Sequence, residues 1–266
     1  MSITRRGFLG AAGLSALALA GKPALEAAAG AAAEERNAAA VGEGAQEHEA
    51  AATGTRLAMV IDPRKCLEEG DCTKCVEACH RAHNVPDLAD PAREVKWIWK
   101  ERFEEAFPTL ELDHAPEAFH AKPVMVLCNH CDNPPCVRVC PTQATWKRED
   151  GIVMMDWHRC IGCRYCMAAC PYGSRSFNWS DPRQALDRLN PDFPTRSKGV
   201  VEKCTFCDER LARGERPACV DACTAGAITF GDLNDPKSEV RALLRDRFAI
   251  RRKAGLGTKP AIYYIV

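Results

Sequence analysis

Neither charge is in surplus in this chain: Lys and Arg together number 36, and so do Asp and Glu. Bulk nucleic-acid binding requires a basic excess, so that class is excluded. Past the N-terminus there is no apolar run long enough to cross a bilayer, so the body is expected to be soluble and not to span a membrane. Catalytic constellations are missing as well. There is no Ser/His/Asp set, no motif of paired carboxylates and no Gly-rich nucleotide loop. Gly255-Leu256-Gly257 has no helix behind it and reads as a turn. Cysteine is the residue in excess. Sixteen cysteines in 266 residues are far above ordinary usage, so sulfur chemistry belongs to the fold.

The cysteines form four groups, and the third is the most regular. Cys160-Ile161-Gly162-Cys163-Arg164-Tyr165-Cys166-Met167-Ala168-Ala169-Cys170-Pro171 spaces three cysteines by two residues each, with a fourth three residues on and then proline. Three thiolates so spaced wrap one corner of an iron–sulfur cubane, and the whole is a bacterial ferredoxin signature. In two-cluster ferredoxins the last cysteine ligates the neighbouring cluster, so a partner motif is expected. Cys128-x2-Cys131-x4-Cys136-x3-Cys140-Pro141 supplies it just upstream, and its Asn133-Pro134-Pro135 stiffens the longer gap. Outside this pair lie Cys66-x5-Cys72-x2-Cys75-x3-Cys79 and Cys204-x2-Cys207-x11-Cys219-x3-Cys223.

Exchanging the last cysteine within each pair assigns four sets. The inner groups give Cys160, Cys163 and Cys166 with Cys140, and Cys128, Cys131 and Cys136 with Cys170. The outer groups give Cys66, Cys72 and Cys75 with Cys223, and Cys204, Cys207 and Cys219 with Cys79. Four [4Fe–4S] clusters then use every cysteine once. Two rival readings make the chain a structural protein. Disulfides suit an oxidising compartment, but eight bridges do not call for four copies of one module. Zinc suits the fourth group taken alone, but not thiolates packed as x2-x2 before x3-Cys-Pro. Cys79-His80 is not a haem site, because attachment needs Cys-x-x-Cys-His. The polar insert Leu67-Glu68-Glu69-Gly70-Asp71 is expected to bulge outward as a loop. His130 and His158 stand beside the cysteines and could tune them by hydrogen bonding.

Taken in order, Thr4-Arg5-Arg6-Gly7-Phe8-Leu9 opens a short apolar stretch with small residues after it, the pattern of a Tat export signal. Its alternative is a cytoplasmic start with a chance Arg-Arg. Residues 1–33 read as signal, 34–55 as a flexible linker and 56–266 as the four-cluster body. Strands are expected at 56–61, 123–127, 145–147, 152–156, 175–179, 227–230 and 260–266, with Asp150-Gly151 turning a hairpin. Alternation in Val95-Lys96-Trp97-Ile98-Trp99-Lys100 puts Ile98 with the lysines, and the two tryptophans are expected to pack within this chain. Residues 182–194 read as a surface connection and 208–216 as a solvated excursion. Asp235 is expected to cap a helix running to Phe248. The fold class is α+β: tandem ferredoxin-like βαββαβ halves stapled by iron–sulfur clusters. The inner half covers 123–181, the outer half 56–79 with 200–231, an accessory insertion 80–122, and a C-terminal helix and strand 232–266.

The four-group arrangement resembles the electron-transfer subunits of dimethyl sulfoxide reductase, polysulfide reductase and hydrogenase-2 membrane complexes. Lys96 to Lys100, Cys128 to Cys136, Asn190-Pro191-Asp192-Phe193-Pro194-Thr195-Arg196 and the ending Arg251-Arg252-Lys253 to Tyr263-Tyr264-Ile265-Val266 are most similar to the DsrO family, the periplasmic ferredoxin-like subunits of the DsrMKJOP complex of sulfur metabolism. That resemblance implies an electron relay with no substrate site of its own. It implies two partners, a quinone-interacting integral membrane subunit of the NrfD type and a periplasmic multihaem cytochrome c, and a periplasmic place at the inner membrane held through them. Nucleic acid is not among the expected partners. The alternative within the class is the electron-transfer subunit of a molybdopterin oxidoreductase.

Overall fold

Leu57-Ala58-Met59-Val60-Ile61 contains no polar residue, and a strand so composed is expected to be covered on both faces. It forms β1 (Leu57–Ile61), an inner strand of a four-stranded sheet whose order is β8 (Ile228–Asp232), β1, β10 (Ile262–Ile265), β9 (Ala249–Ile250). The computed structural model describes residues 54–110, 119 and 122–266. The leader expected over 1–33 and most of the linker lie outside the described residues. β8 (Ile228–Asp232) runs antiparallel to β1, while β10 (Ile262–Ile265) runs parallel to it, with Met59 opposite Ile262 and Ile61 opposite Tyr264. The period of two then divides the sheet's faces. Met59, Ile61 and Tyr264 enter the main core; Ala58, Val60 and Ile265 meet Val240, Leu243 and Leu244 of the helix Glu239–Asp246. Among the described residues no helix is long and apolar enough to cross a membrane.

Three two-stranded sheets complete the β structure of the described residues. Ile98–Arg102 pairs antiparallel with Pro123–Leu127, and Ser176–Phe177 with Val201–Glu202. Thr145–Lys147 and Val153–Met155 form the expected hairpin. Its turn is closed by Gly151 N–H donating to Arg148 O, with Gly151 at φ +85°. Short helices pack between these sheets. Lys74–Ala82 lies against Ala218–Asp221, joining the first cysteine group to the fourth. Pro135–Arg138 lies against Tyr165–Ala169, joining the second to the third.

Several local expectations are revised. The Cys66–Cys72 insert does not simply bulge: Asp62 caps the helix Pro63–Glu68 by accepting from Arg64 and Lys65 N–H, and Leu67 packs toward the core. The solvated excursion begins as a helix, Asp208–Leu211, whose Arg210 is held by Asp221 at 2.8 Å. The C-terminal helix is shorter at both ends. Asp235 closes a preceding turn by accepting from Lys237 N–H, so the helix starts after Ser238, and it stops at Asp246. Val95, Trp97 and Trp99 are buried within this chain, but so is Ile98, because the second face is covered too.

The 182–194 connection is anchored rather than loose. Asn84 donates to Asn190 O and Phe193 O, and Asn190 donates back to Ala82 O. Beyond it stands a charged pair with no access to water, Arg196 and Glu202 at 2.7 Å. Glu202 also accepts from Trp97 Nε1 and Asn178 Nδ2, and Arg196 donates to the carbonyls of His83 and Asn84. Removing one partner of a buried, hydrogen-bonded pair strands the other charge, at a typical cost of about 3–5 kcal/mol. Glu202→Gln is expected to lower the unfolding free energy of the anaerobically purified chain by that order, read as a lower urea midpoint. A midpoint unchanged from the parent would mean that the pair contributes no net stability.

Candidate metal centre

Spacing groups the cysteines by sequence, and folding groups them in space. Cys66, Cys72, Cys75 and Cys223 line one cavity, with Ile61, Met125, Ala227 and Ile228 as its apolar wall. The Cys75 thiol is pushed up to about 11 by burial and by Cys66, Cys223 and Cys72 beside it. Cys128, Cys131, Cys136 and Cys170 line a second cavity, closed by Pro134, Tyr172 and Arg175. Burial, followed by Cys128, drives Cys131 up to about 12. Cys79 is fully enclosed and raised well above the ordinary thiol by burial and by its neighbours Cys204, Cys207 and Cys219. Cys140, Cys160 and Cys166 share a smaller apolar cluster with Cys136; Cys163, between Cys160 and Cys166, is exposed. None of the sixteen cysteines is in a disulfide.

The sulfurs meet donors. Backbone N–H groups of Phe206, Ala218 and Ala227 point at Cys204, Cys207 and Cys223 sulfurs at 3.4, 3.4 and 3.2 Å. Burial raises Cys140, but N–H groups of Thr145, Thr142 and Ala144 and the Thr142 hydroxyl outweigh it, and the thiol is lowered overall. The loops turn by one device. The residue before the second cysteine is left-handed in three of them: His130 at φ +39°, Gly162 at +71° and Phe206 at +59°. That conformation costs a residue with a Cβ about 1–2 kcal/mol. Two of the three residues meet each other, His130 stacking on Phe206 with ring centroids 3.7 Å apart.

Neither histidine singled out by sequence bonds a sulfur. His130 Nδ1 accepts from Val153 N–H, and its burial, together with Lys203, Arg56 and Arg175, holds it well below its ordinary pKa, hence neutral. His158 is almost wholly exposed and faces Asp156. An arginine that sequence reasoning passed over does reach sulfur. Buried Arg175 donates to Cys136 Sγ at 3.1 Å and to Thr145 Oγ1 at 2.8 Å, and it also hydrogen-bonds Cys166. The available signal was a lone arginine at the start of a strand otherwise bound for the interior.

The pattern of a 4Fe-4S dicluster domain matches residues 122–185 and 189–233. The chain is 44% identical over 232 residues to the Hdr-like menaquinol oxidoreductase iron-sulfur subunit 1 of Archaeoglobus fulgidus, covering 79% of this chain and 82% of that one. The chain belongs to the family of iron–sulfur electron-transfer subunits of oxidoreductase complexes. Further members of that family are the iron-sulfur cluster-binding subunit of menaquinone reductase from Nitratidesulfovibrio vulgaris, 39% identical over 78% of this chain and 87% of its own, and the B subunit of polysulfide reductase from Wolinella succinogenes, 37% identical over 79% and 94%. Like them it is an electron-transfer subunit and not the catalytic one.

The donor set fits what such a subunit holds. Buried thiols crowded together cannot all ionise unless cationic iron sits among them, and both the apolar walls and the N–H groups aimed at sulfur suit [4Fe–4S] clusters. Each such cluster, when bound, takes up and releases one electron.

Backbone room limits these loops most tightly at Gly162, where a Cβ would lie 2.3 Å from Gly199 O. Gly173 has a similar φ of +65° but open space around it. Gly162→Ala is therefore expected to lower stability by about 1–3 kcal/mol more than Gly173→Ala. Equal urea midpoints for the two variants would refute the close approach.

Proposed function

We propose that this chain is a DsrO-type relay, carrying electrons through four [4Fe–4S] clusters between an NrfD-type quinone-interacting membrane subunit and a periplasmic multihaem cytochrome c in a sulfur-metabolising complex. The observation that carries the relay is adjacency. Cys166 neighbours Cys136, Cys128 neighbours Cys204, and Cys219 neighbours Cys75. These adjacencies support a row of the cross-exchanged sets: Cys140/160/163/166, then Cys128/131/136/170, then Cys79/204/207/219, then Cys66/72/75/223. The packing of helix Lys74–Ala82 on Ala218–Asp221, and of Pro135–Arg138 on Tyr165–Ala169, supports two ferredoxin-like halves. Relatives named for menaquinol and menaquinone support a quinone-linked partner. The twin arginine at Arg5-Arg6 supports Tat export, with attachment to the inner membrane through partner subunits.

A second reading, as the relay subunit of a molybdopterin oxidoreductase, draws on the likeness to the polysulfide reductase subunit. Mass spectrometry of the native complex separates the two. The first reading expects an integral membrane subunit and a multihaem cytochrome as companions; a molybdenum-containing subunit would end it.

Anaerobically purified protein is expected to contain about sixteen iron atoms, four in each of four clusters, and to develop EPR signals on dithionite reduction. Zinc, or iron-free folded protein, would overturn the relay. Cys163→Ser is expected to remove one cluster's signal and to lower the unfolding midpoint, because its cluster joins two loops. Full iron content together with parental stability would rule out this ligand assignment.

A further inference from the structure

Arg175 is a buried cation without a carboxylate. Its exposure is 4%, and among the described residues no Asp or Glu oxygen forms an ion pair with it. Its polar contacts are Cys136 Sγ at 3.1 Å, Thr145 Oγ1 at 2.8 Å and Met155 Sδ at 3.6 Å, and it also hydrogen-bonds Cys166. Cys136 and Cys166 belong to different sets, so one guanidinium spans the junction between the two inner ones. An unpaired buried charge is expensive unless something of opposite sign compensates it. The groups of opposite sign near Arg175 are the sulfurs of Cys136, Cys166 and Cys128.

The outer pair lacks this arrangement. Arg175 stands five residues after Cys170; the residue five after Cys223 is Ile228, which lines the cavity of the first set. At the outer cysteines His83 Nδ1 lies 3.6 Å from Cys79 Sγ, but unlike Arg175 it has a carboxylate, Glu209, at 3.1 Å on its other nitrogen; the lysines there do not touch sulfur. Lys203, wholly buried, gives its ammonium to the carbonyls of Val153 and Cys204. Lys100 is near Cys66 only through its charge.

We propose that Arg175 is a tuning residue whose fixed charge raises the reduction potentials of the two inner clusters relative to the outer two. The proposal rests on the cluster assignment above. Reduction adds negative charge to a cluster, and a cation bonded to its sulfurs favours the reduced form. Electrons on the chain would accordingly collect at the inner pair.

The test is potentiometric EPR on the full chain, purified anaerobically, as parent, Arg175→Gln and Arg175→Lys, with iron counted in each. At a fixed ambient potential, Arg175→Gln is expected to lower the reduced-to-oxidised ratio of the inner clusters at least tenfold, a fall of about 59 mV for one electron. The outer signals should be unmoved, and Arg175→Lys, which keeps the charge, should stay near the parent. Unchanged midpoints in Arg175→Gln overturn the proposal, and so does an equal fall in all four clusters. If Arg175→Gln loses inner iron, Arg175→Lys decides alone: parental midpoints support tuning, and a tenfold fall or loss of inner iron overturns it. Iron-free parent protein would instead sink the relay reading itself.

Discussion

Thiols gathered out of water repel their own ionisation, and that constraint shapes the rest of this molecule. Burial and mutual proximity raise Cys75, Cys79, Cys131 and Cys204 far above an ordinary cysteine. Thiols so crowded ionise together only where a cation shares the space, which is what iron provides. Apart from the nine-residue helix Lys74–Ala82, which carries Cys75 and Cys79, the helices at the buried cysteines are short. Helices of four or five residues, Pro135–Arg138, Tyr165–Ala169 and Ala218–Asp221, each place one cysteine and stop.

Around the cysteines the chain invests in polar anchoring more than in extended sheet. Glu202, with no exposure, is held by Arg196, Trp97 and Asn178, and these come from three separate stretches of sequence. His83 stacks on Trp97 with centroids 4.5 Å apart, and Phe193 meets both edge-on. The accessory segment and the 190–196 stretch are thereby fastened to the helix that carries Cys75 and Cys79. The backbone strain at His130 and Phe206 is offset in a similar way, by stacking the two strained residues on each other.

How much of this is legible in the sequence follows from what repeats. Leu57–Ile61, Pro123–Leu127 and the Thr145–Met155 hairpin are readable because an apolar run or an Asp-Gly turn has a fixed backbone meaning. The cysteine groups are readable because ligand spacing is itself geometry. Side-chain direction in irregular segments has no period, so only a lone arginine at the start of a strand hints at Arg175, nothing marks Glu202, and His130 stands out for a bond it does not make. The last helix starts after Ser238 and not Asp235 because the Asp235 carboxylate closes its own turn on Lys237 N–H, and sequence alone does not say which turn closes first. The insert after Cys66 reads as a loop because its polarity hides an Asp-capped helix.

The parallel pairing of β10 with β1 has a consequence for biogenesis. Residues 262–265 lie inside their sheet, between strand 57–61 and strand 249–250, yet a ribosome makes them after every cysteine. The sheet behind the Cys66 cavity therefore cannot close while its last member is still in the exit tunnel. Whatever inserts iron at that end works on an open, half-built wall or waits until residues 262–265 have emerged and paired.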